Sequence, residues 1–137
     1  MRVLIDTNIL IDYLSKRPLF YDDARLIIKL CMEKKMDGCI AAHSVMNAFY
    51  ILRKEFTVDE RRSVLISLCK ILTVVGINKQ KLLSALENLN FMDVEDCLQA
   101  ECAKEFSADY IVTRNIKDFQ SSTVKPILPD DFLKMVN

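Results

Sequence analysis

Short apolar runs alternate along this chain with longer stretches in which apolar residues return every three to four positions. The short runs suit buried strands and the periodic stretches suit amphipathic helices. Val3-Leu4-Ile5, within residues 2–5, is too short for a helix core and predicts a strand that ends at Asp6. Ile9, Leu10, Tyr13 and Leu14 then recur at helical spacing until Arg17-Pro18 breaks the element. Tyr21 to Lys35 predicts a helix with Ala24, Ile27, Ile28, Cys31 and Met32 as its apolar stripe. Asp37-Gly38 reads as a turn and Cys39 to Ala42 as a second strand. Ser44 is placed to cap a helix running to about Glu55, and Val58 to Leu72 is helical with Val64, Leu65, Leu68 and Leu72 in register. Thr73 to Ile77 is β-branched and short, a third strand; Asn78 caps a helix through Leu82, Leu83 and Leu86. Asp93 to Phe106 is helical, Tyr110 to Thr113 a fourth strand, Val124 to Leu128 a fifth, and Pro129 opens a last short helix.

Strands that alternate with helices along a whole chain imply parallel pairing through helical crossovers. The expected fold is a three-layer α/β/α sandwich around a parallel sheet of about five strands, in a single domain over residues 1–137. In such sheets ligands bind outside the carboxyl ends of the strands. The residues that follow each strand are therefore the candidates for function.

Composition narrows the class. A 51% apolar fraction with 19 basic and 19 acidic residues excludes a disordered chain and gives no global field for polyanions. The balance hides a split, since residues 1–81 carry 14 Lys/Arg against 9 Asp/Glu and residues 82–137 carry 5 against 10. No window lacks charges for long enough to span a membrane. Asp6 and Asp12 interrupt the one apolar stretch near the N-terminus, so no signal peptide is expected. Cys31, Cys39, Cys69, Cys97 and Cys102 form no C-x-x-C pair, and the single His43 completes no zinc set with them. They read as reduced thiols of a cytoplasmic protein. With Gly38 and Gly76 as the only glycines, a nucleotide-binding glycine-rich loop is excluded.

The strand ends hold the chemistry. Asp6 closes the first strand, Thr113-Arg114-Asn115 follows the fourth, and Asp118 lies just beyond. Asp93 and Asp96, three residues apart, share a face at the start of the preceding helix. If the first and fourth strands are neighbours, these acids converge, and converging carboxylates need a cation to neutralise them. Hard oxygen donors of this kind suit Mg²⁺ or Mn²⁺. Each residue also has an ordinary role: Asp6 as a helix cap, Asp93 and Asp96 as acids favoured by a helix dipole, Asn115 and Asp118 as turn formers.

Val3-Leu-Ile-Asp6-Thr7-Asn8-Ile-Leu-Ile-Asp12 resembles the first motif of PIN domains, and Asp93-Val-Glu-Asp96-Cys-Leu-Gln-Ala with Thr113-Arg-Asn115-Ile-Lys-Asp118-Phe119 resembles their C-terminal motif. The resemblance spans essentially the full length. It implies a metal-dependent ribonuclease similar to the small VapC-class toxins, which a cognate antitoxin binds and silences and which often form homodimers. Asp6 then matches the family's first acid and Asp96 the acid of the penultimate long helix. Asn47 stands where a Glu is usual, and Asn115 stands where the fourth acid falls, with Asp118 placed to supply that charge. Asp6, Asp96 and Asp118 are the expected catalytic acids, with Asp93 as a further ligand of Mg²⁺ or Mn²⁺. Thr7, Asn47, Thr113 and Asn115 are expected to support them. Arg114 and Lys117 are expected to contact RNA phosphates, and Arg53-Lys54 and Arg61-Arg62 could extend that track. Tyr50 and Phe119 could stack on bases or sit in the core. A degenerate, non-cutting module that binds RNA or protein is the rival reading, favoured by Asn47 and Asn115. Phosphoryl transfer through Asp6 is a weaker third, since Asp6-Thr-Asn lacks the second Asp that haloacid-dehalogenase-type phosphatases use.

Overall fold

The apolar runs become strands and the periodic stretches become the helices that cover them. A computed structural model describes residues 1–137. The elements are β1 (Arg2–Ile5), α1 (Thr7–Leu14), α2 (Tyr21–Met32), β2 (Asp37–Ala41), α3 (Ala42–Ile51), α4 (Val58–Ile71), β3 (Thr73–Val75), α5 (Lys79–Glu87), α6 (Val94–Glu105), β4 (Tyr110–Val112), β5 (Lys125–Ile127) and α7 (Pro129–Val136). Single 3-10 turns at Leu52–Lys54 and Ile116–Phe119 complete the chain.

The five strands form one parallel sheet in the order β3-β2-β1-β4-β5. The chain starts in the middle, builds outward through β2 and β3, then returns to build the other half from β4. Strand order reverses between β1 and β4, and at such a switch point the loops leave in opposite directions and open a crevice.

Successive strand residues face opposite layers. Val3, Ile5, Ile40 and Val112 pack into the larger core with α1, α2, α3, α4 and α7. Leu4, Cys39, Ala41 and Ile111 face α6 and the 3-10 turn that carries Phe119. Ala85 of α5 packs on Cys97 and Leu98 of α6, which adds α5 to that second layer. The strands are apolar on both faces because both faces are covered, as a parallel sheet requires.

Three local expectations change. Asp37 and Gly38 open β2 instead of forming a turn. A Cβ at Gly38 would lie 2.6 Å from Cys31 Sγ and 2.9 Å from Leu72 Cδ2, so glycine is what lets α2 and the end of α4 close on the strand. The helix predicted to Lys35 stops at Met32, and Lys34 turns the chain with a φ of 57°. Ser44 caps nothing: α3 starts at Ala42, and the Ser44 side chain is buried in polar contacts described below.

Candidate functional site

The β1–β4 register sets Ile5 opposite Val112, and the Asp6 amide donates to the Val112 carbonyl at 3.0 Å. The next residue on each strand, Asp6 and Thr113, therefore meet at the switch point. Thr113 donates its hydroxyl to Asp6 Oδ2 at 2.8 Å, and Gln99 Nε2, from α6, donates to Asp6 Oδ1 at 2.9 Å. Asp6 occupies the N-cap position of α1, yet its side chain makes no capping bond. Capping does not account for this carboxylate, which is only 3% exposed. Burial raises its proton affinity, hydrogen bonds from Gln99, Thr113 and the Thr7 backbone oppose that, and the Asp118 charge adds to the rise.

Asp96, in the first turn of α6, shares a cleft of about 280 Å³ with Asp6, Thr7, Asn8, Asn47 and Gln99. Tyr50, Ile51 and Glu95 form its rim. Burial and the surrounding carboxylates of Asp93, Asp6, Asp118 and Glu95 push the Asp96 pKa up to about 7. Of the residues expected to converge, Asp6 and Asp96 line this cleft, whereas Asp93, Asn115 and Asp118 do not. Asp93 does have an ordinary role, since its Oδ1 accepts the Asp96 backbone N–H at 3.1 Å and caps α6. Asp118 and Lys117 are exposed on the turn after β4. The Asn115 backbone N–H donates to Thr113 Oγ1 at 2.9 Å, which orients the hydroxyl that Asp6 receives.

Helix α3 is tied to α6 across the cleft. Asn47 Nδ2 donates to Glu95 Oε2 at 3.0 Å. His43 Nε2 lies 3.0 Å from the Glu95 carbonyl oxygen; a carbonyl only accepts, so the proton sits on Nε2. Nδ1 of His43 is then a buried acceptor without a partner, and burial lowers the pKa of this ring. Thr7 donates its hydroxyl to Ser44 Oγ at 2.7 Å, and Ser44 reaches Gln99 Oε1 at 3.4 Å. Gln99 Oε1 also accepts the Thr7 N–H at 3.3 Å, so one buried amide joins β1, α1, α3 and α6.

Arg114 is committed to the scaffold. Its guanidinium meets fully buried Asp12 through two nitrogens, at 2.8 and 3.1 Å, and lies 3.9 Å over the Phe20 ring. Lys117 makes no ion pair and remains available to a phosphate. Arg61 is buried over the Phe49 ring and donates to the Phe49 carbonyl, so it does not extend a basic track. Phe119 is core, whereas Tyr50 is 62% exposed at the cleft rim with the Arg53 guanidinium 3.7 Å above its ring. Four of the five thiols are buried and all five are free; burial pushes those of Cys31 and Cys39 up to about 12, which removes them as nucleophiles.

Gln99, Glu95, the site contacts of Ser44 and the pairing of Arg114 with Asp12 were not read from the sequence. Gln99 was the most readable of these: it lies three residues after Asp96, hence on the same face, within a stripe of Leu, Cys and Ala. No three His, Cys, Asp or Glu side chains stand close enough together to enclose a metal ion. The donor chemistry nevertheless fits a hard divalent cation. The acids offer only oxygen, and beside burial, which is the larger cause, their mutual repulsion raises Asp96.

Solved structures share this fold. A VapBC2 complex from Rickettsia felis, bound to a promoter DNA fragment, matches with a TM-score of 0.69 at 21% identity over 93% of this chain and 98% of that one. A toxin–antitoxin complex from Klebsiella pneumoniae gives 0.69 at 20% identity over 93% and 97%, and VapBC-1 from nontypeable Haemophilus influenzae gives 0.68 at 17% over 95% and 99%. No curated protein matches the sequence. The PIN domain family model matches residues 2–117, which hold every strand except β5 and all of the cleft. The chain belongs to the PIN domain family.

Proposed function

We propose that this protein is a metal-dependent endoribonuclease that hydrolyses RNA phosphodiester bonds, and that it is the toxin of a toxin–antitoxin pair. The observation that carries the reading is that Asp6 and Asp96 line one cleft at the β1/β4 switch point, where burial and then the neighbouring carboxylates raise the Asp96 pKa to about 7. Asp6 and Asp96 would hold Mg²⁺ or Mn²⁺, with Asp118 and Asp93 adding negative charge from outside the cleft. When bound, such a cation neutralises the scissile phosphate and lowers the pKa of bound water. The chain supplies the rest. Gln99 and Thr113 fix the Asp6 carboxylate, Asn115 orients Thr113, and Lys117 offers a cation to the flanking phosphate. Tyr50 presents an exposed ring at the cleft mouth, where a base can stack.

The toxin assignment is supported by neighbours described as VapBC or toxin–antitoxin complexes. An antitoxin protein is the partner they suggest, and self-association is proposed alongside it. No helix is long and apolar enough to cross a membrane. The second reading is a binding module that does not cut. Its support is specific: Asn47 brings an amide to the cleft, Asn115 is a second amide in the turn after β4, and no three acids are preassembled. Purified protein incubated with RNA in Mn²⁺, Mg²⁺ or chelator separates the two. Cleavage that chelator stops supports the nuclease; absence of cleavage together with absence of metal binding supports the module.

A further inference from the structure

Glu95 is one residue before Asp96 in the first turn of α6, where an acid needs no explanation beyond the helix dipole. Its side chain is exposed, yet it is held by a partner on α3. Asn47 Nδ2 of α3 donates to Glu95 Oε2 at 3.0 Å, and this is the only hydrogen bond the Asn47 side chain makes. His43, one turn earlier on α3, fixes the Glu95 carbonyl at 3.0 Å. Glu95 is thereby held against the wall of the cleft that contains Asp6 and Asp96, on the side that α3 forms. A carboxylate can only accept here, so the residue facing it must donate. An amide at position 47 does so, while an acid there would repel Glu95. The two positions share one negative charge, carried by α6 and steadied by α3.

We propose that Glu95 is a further cation-binding acid of this cleft, acting on the metal directly or through one water, and that Asn47 is its positioning residue. The inference rests on the nuclease reading above and names one more residue of the same site. It places the acid of the α3 side on the neighbouring helix.

The test is Mn²⁺ titration of the full chain by calorimetry, with the Mn²⁺-induced shift in Tm as a second readout. Glu95→Gln keeps the acceptor for Asn47 and removes the charge. The expected result is about a tenfold weaker Kd, the scale seen when outer partners of a metal are removed, with the metal-free Tm unchanged. Moving the charge back, with Asn47→Glu and Glu95→Gln in one chain, is expected to restore Kd to within about threefold, on the same scale. Asp6→Asn is the control. If Asp6→Asn abolishes Mn²⁺ binding while Glu95→Gln matches the wild type and the double variant gains nothing, the role of Glu95 is overturned and the site stands. If Asp6→Asn leaves Mn²⁺ binding intact, the cleft is not the cation site, and both readings fall.

Discussion

Replacing Asp96 by Asn should make the protein more stable while removing its activity. In the unfolded chain the Asp96 carboxyl titrates near 3.8; in the fold burial and four neighbouring carboxylates lift it to about 7. The folded state therefore binds more protons than the unfolded state between these values, and stability falls as pH rises through that window. About three pH units would correspond to about 4 kcal/mol at most. Asp96 is only half buried, so solvent screening reduces this to about 1–2 kcal/mol. Asn is neutral and nearly isosteric, and the Asp96 backbone N–H that donates to Asp93 is untouched. For a domain of this size the gain appears as a Tm rise of about 3–6 °C at pH 8. The assay is thermal unfolding of both chains in chelator from pH 8 down to pH 4.5. His43, whose pKa is lowered, contributes with the opposite sign below its usual 6.5, but it does so in both chains and cancels in the difference. The stabilisation should shrink steadily as pH falls from 7 toward 4.5. A variant that is less stable at pH 8, or a difference that does not depend on pH, would refute the reasoning.

Other substitutions probe the scaffold around the site. Asp12→Asn removes the charge that Arg114 and Arg17 face; both arginines keep some solvent access, so the cost in urea unfolding should be about 1–3 kcal/mol. Gln99→Leu removes the donor to Asp6 Oδ1 and leaves the Thr7 N–H and Ser44 hydroxyl short of an acceptor. It should lower stability by about 1–3 kcal/mol and reduce RNA cleavage, measured by unfolding and by a gel assay. Gly38→Ala drives a methyl into Cys31 and Leu72 and should cost about 1–3 kcal/mol, seen as a lower midpoint in urea without loss of the Mn²⁺ response.

Most of the fold was legible because its signals are local. Val3-Leu4-Ile5 and Tyr110-Ile111-Val112 are apolar at every position, which a sheet covered on both faces demands. Asn78 does cap its helix, its Oδ1 accepting the Lys81 N–H at 2.8 Å. Gly38 misled because Asp-Gly is a turn signal, whereas this glycine answers a close approach by residues far away in sequence. Ser44 misled for the same kind of reason: its hydroxyl serves Thr7 and Gln99, 37 and 55 residues away, and not its own helix. At the site, Asp6, Asp96 and Thr113 could be found because strand ends and helix starts mark them. Arg114 looked like a phosphate ligand because nothing in its own neighbourhood of the sequence shows Asp12, which lies 102 residues away. The Asn47–Glu95 contact spans 48 residues and needed the packing of α3 on α6 to be seen.

The most direct test of the central claim is cleavage of RNA by wild type and Asp6→Asn side by side, in Mn²⁺ and in chelator. Metal-dependent cleavage by the wild type that disappears in Asp6→Asn, with the variant still folded, is the result expected. Equal cleavage by both proteins would contradict the assignment of the β1/β4 switch point as the catalytic site.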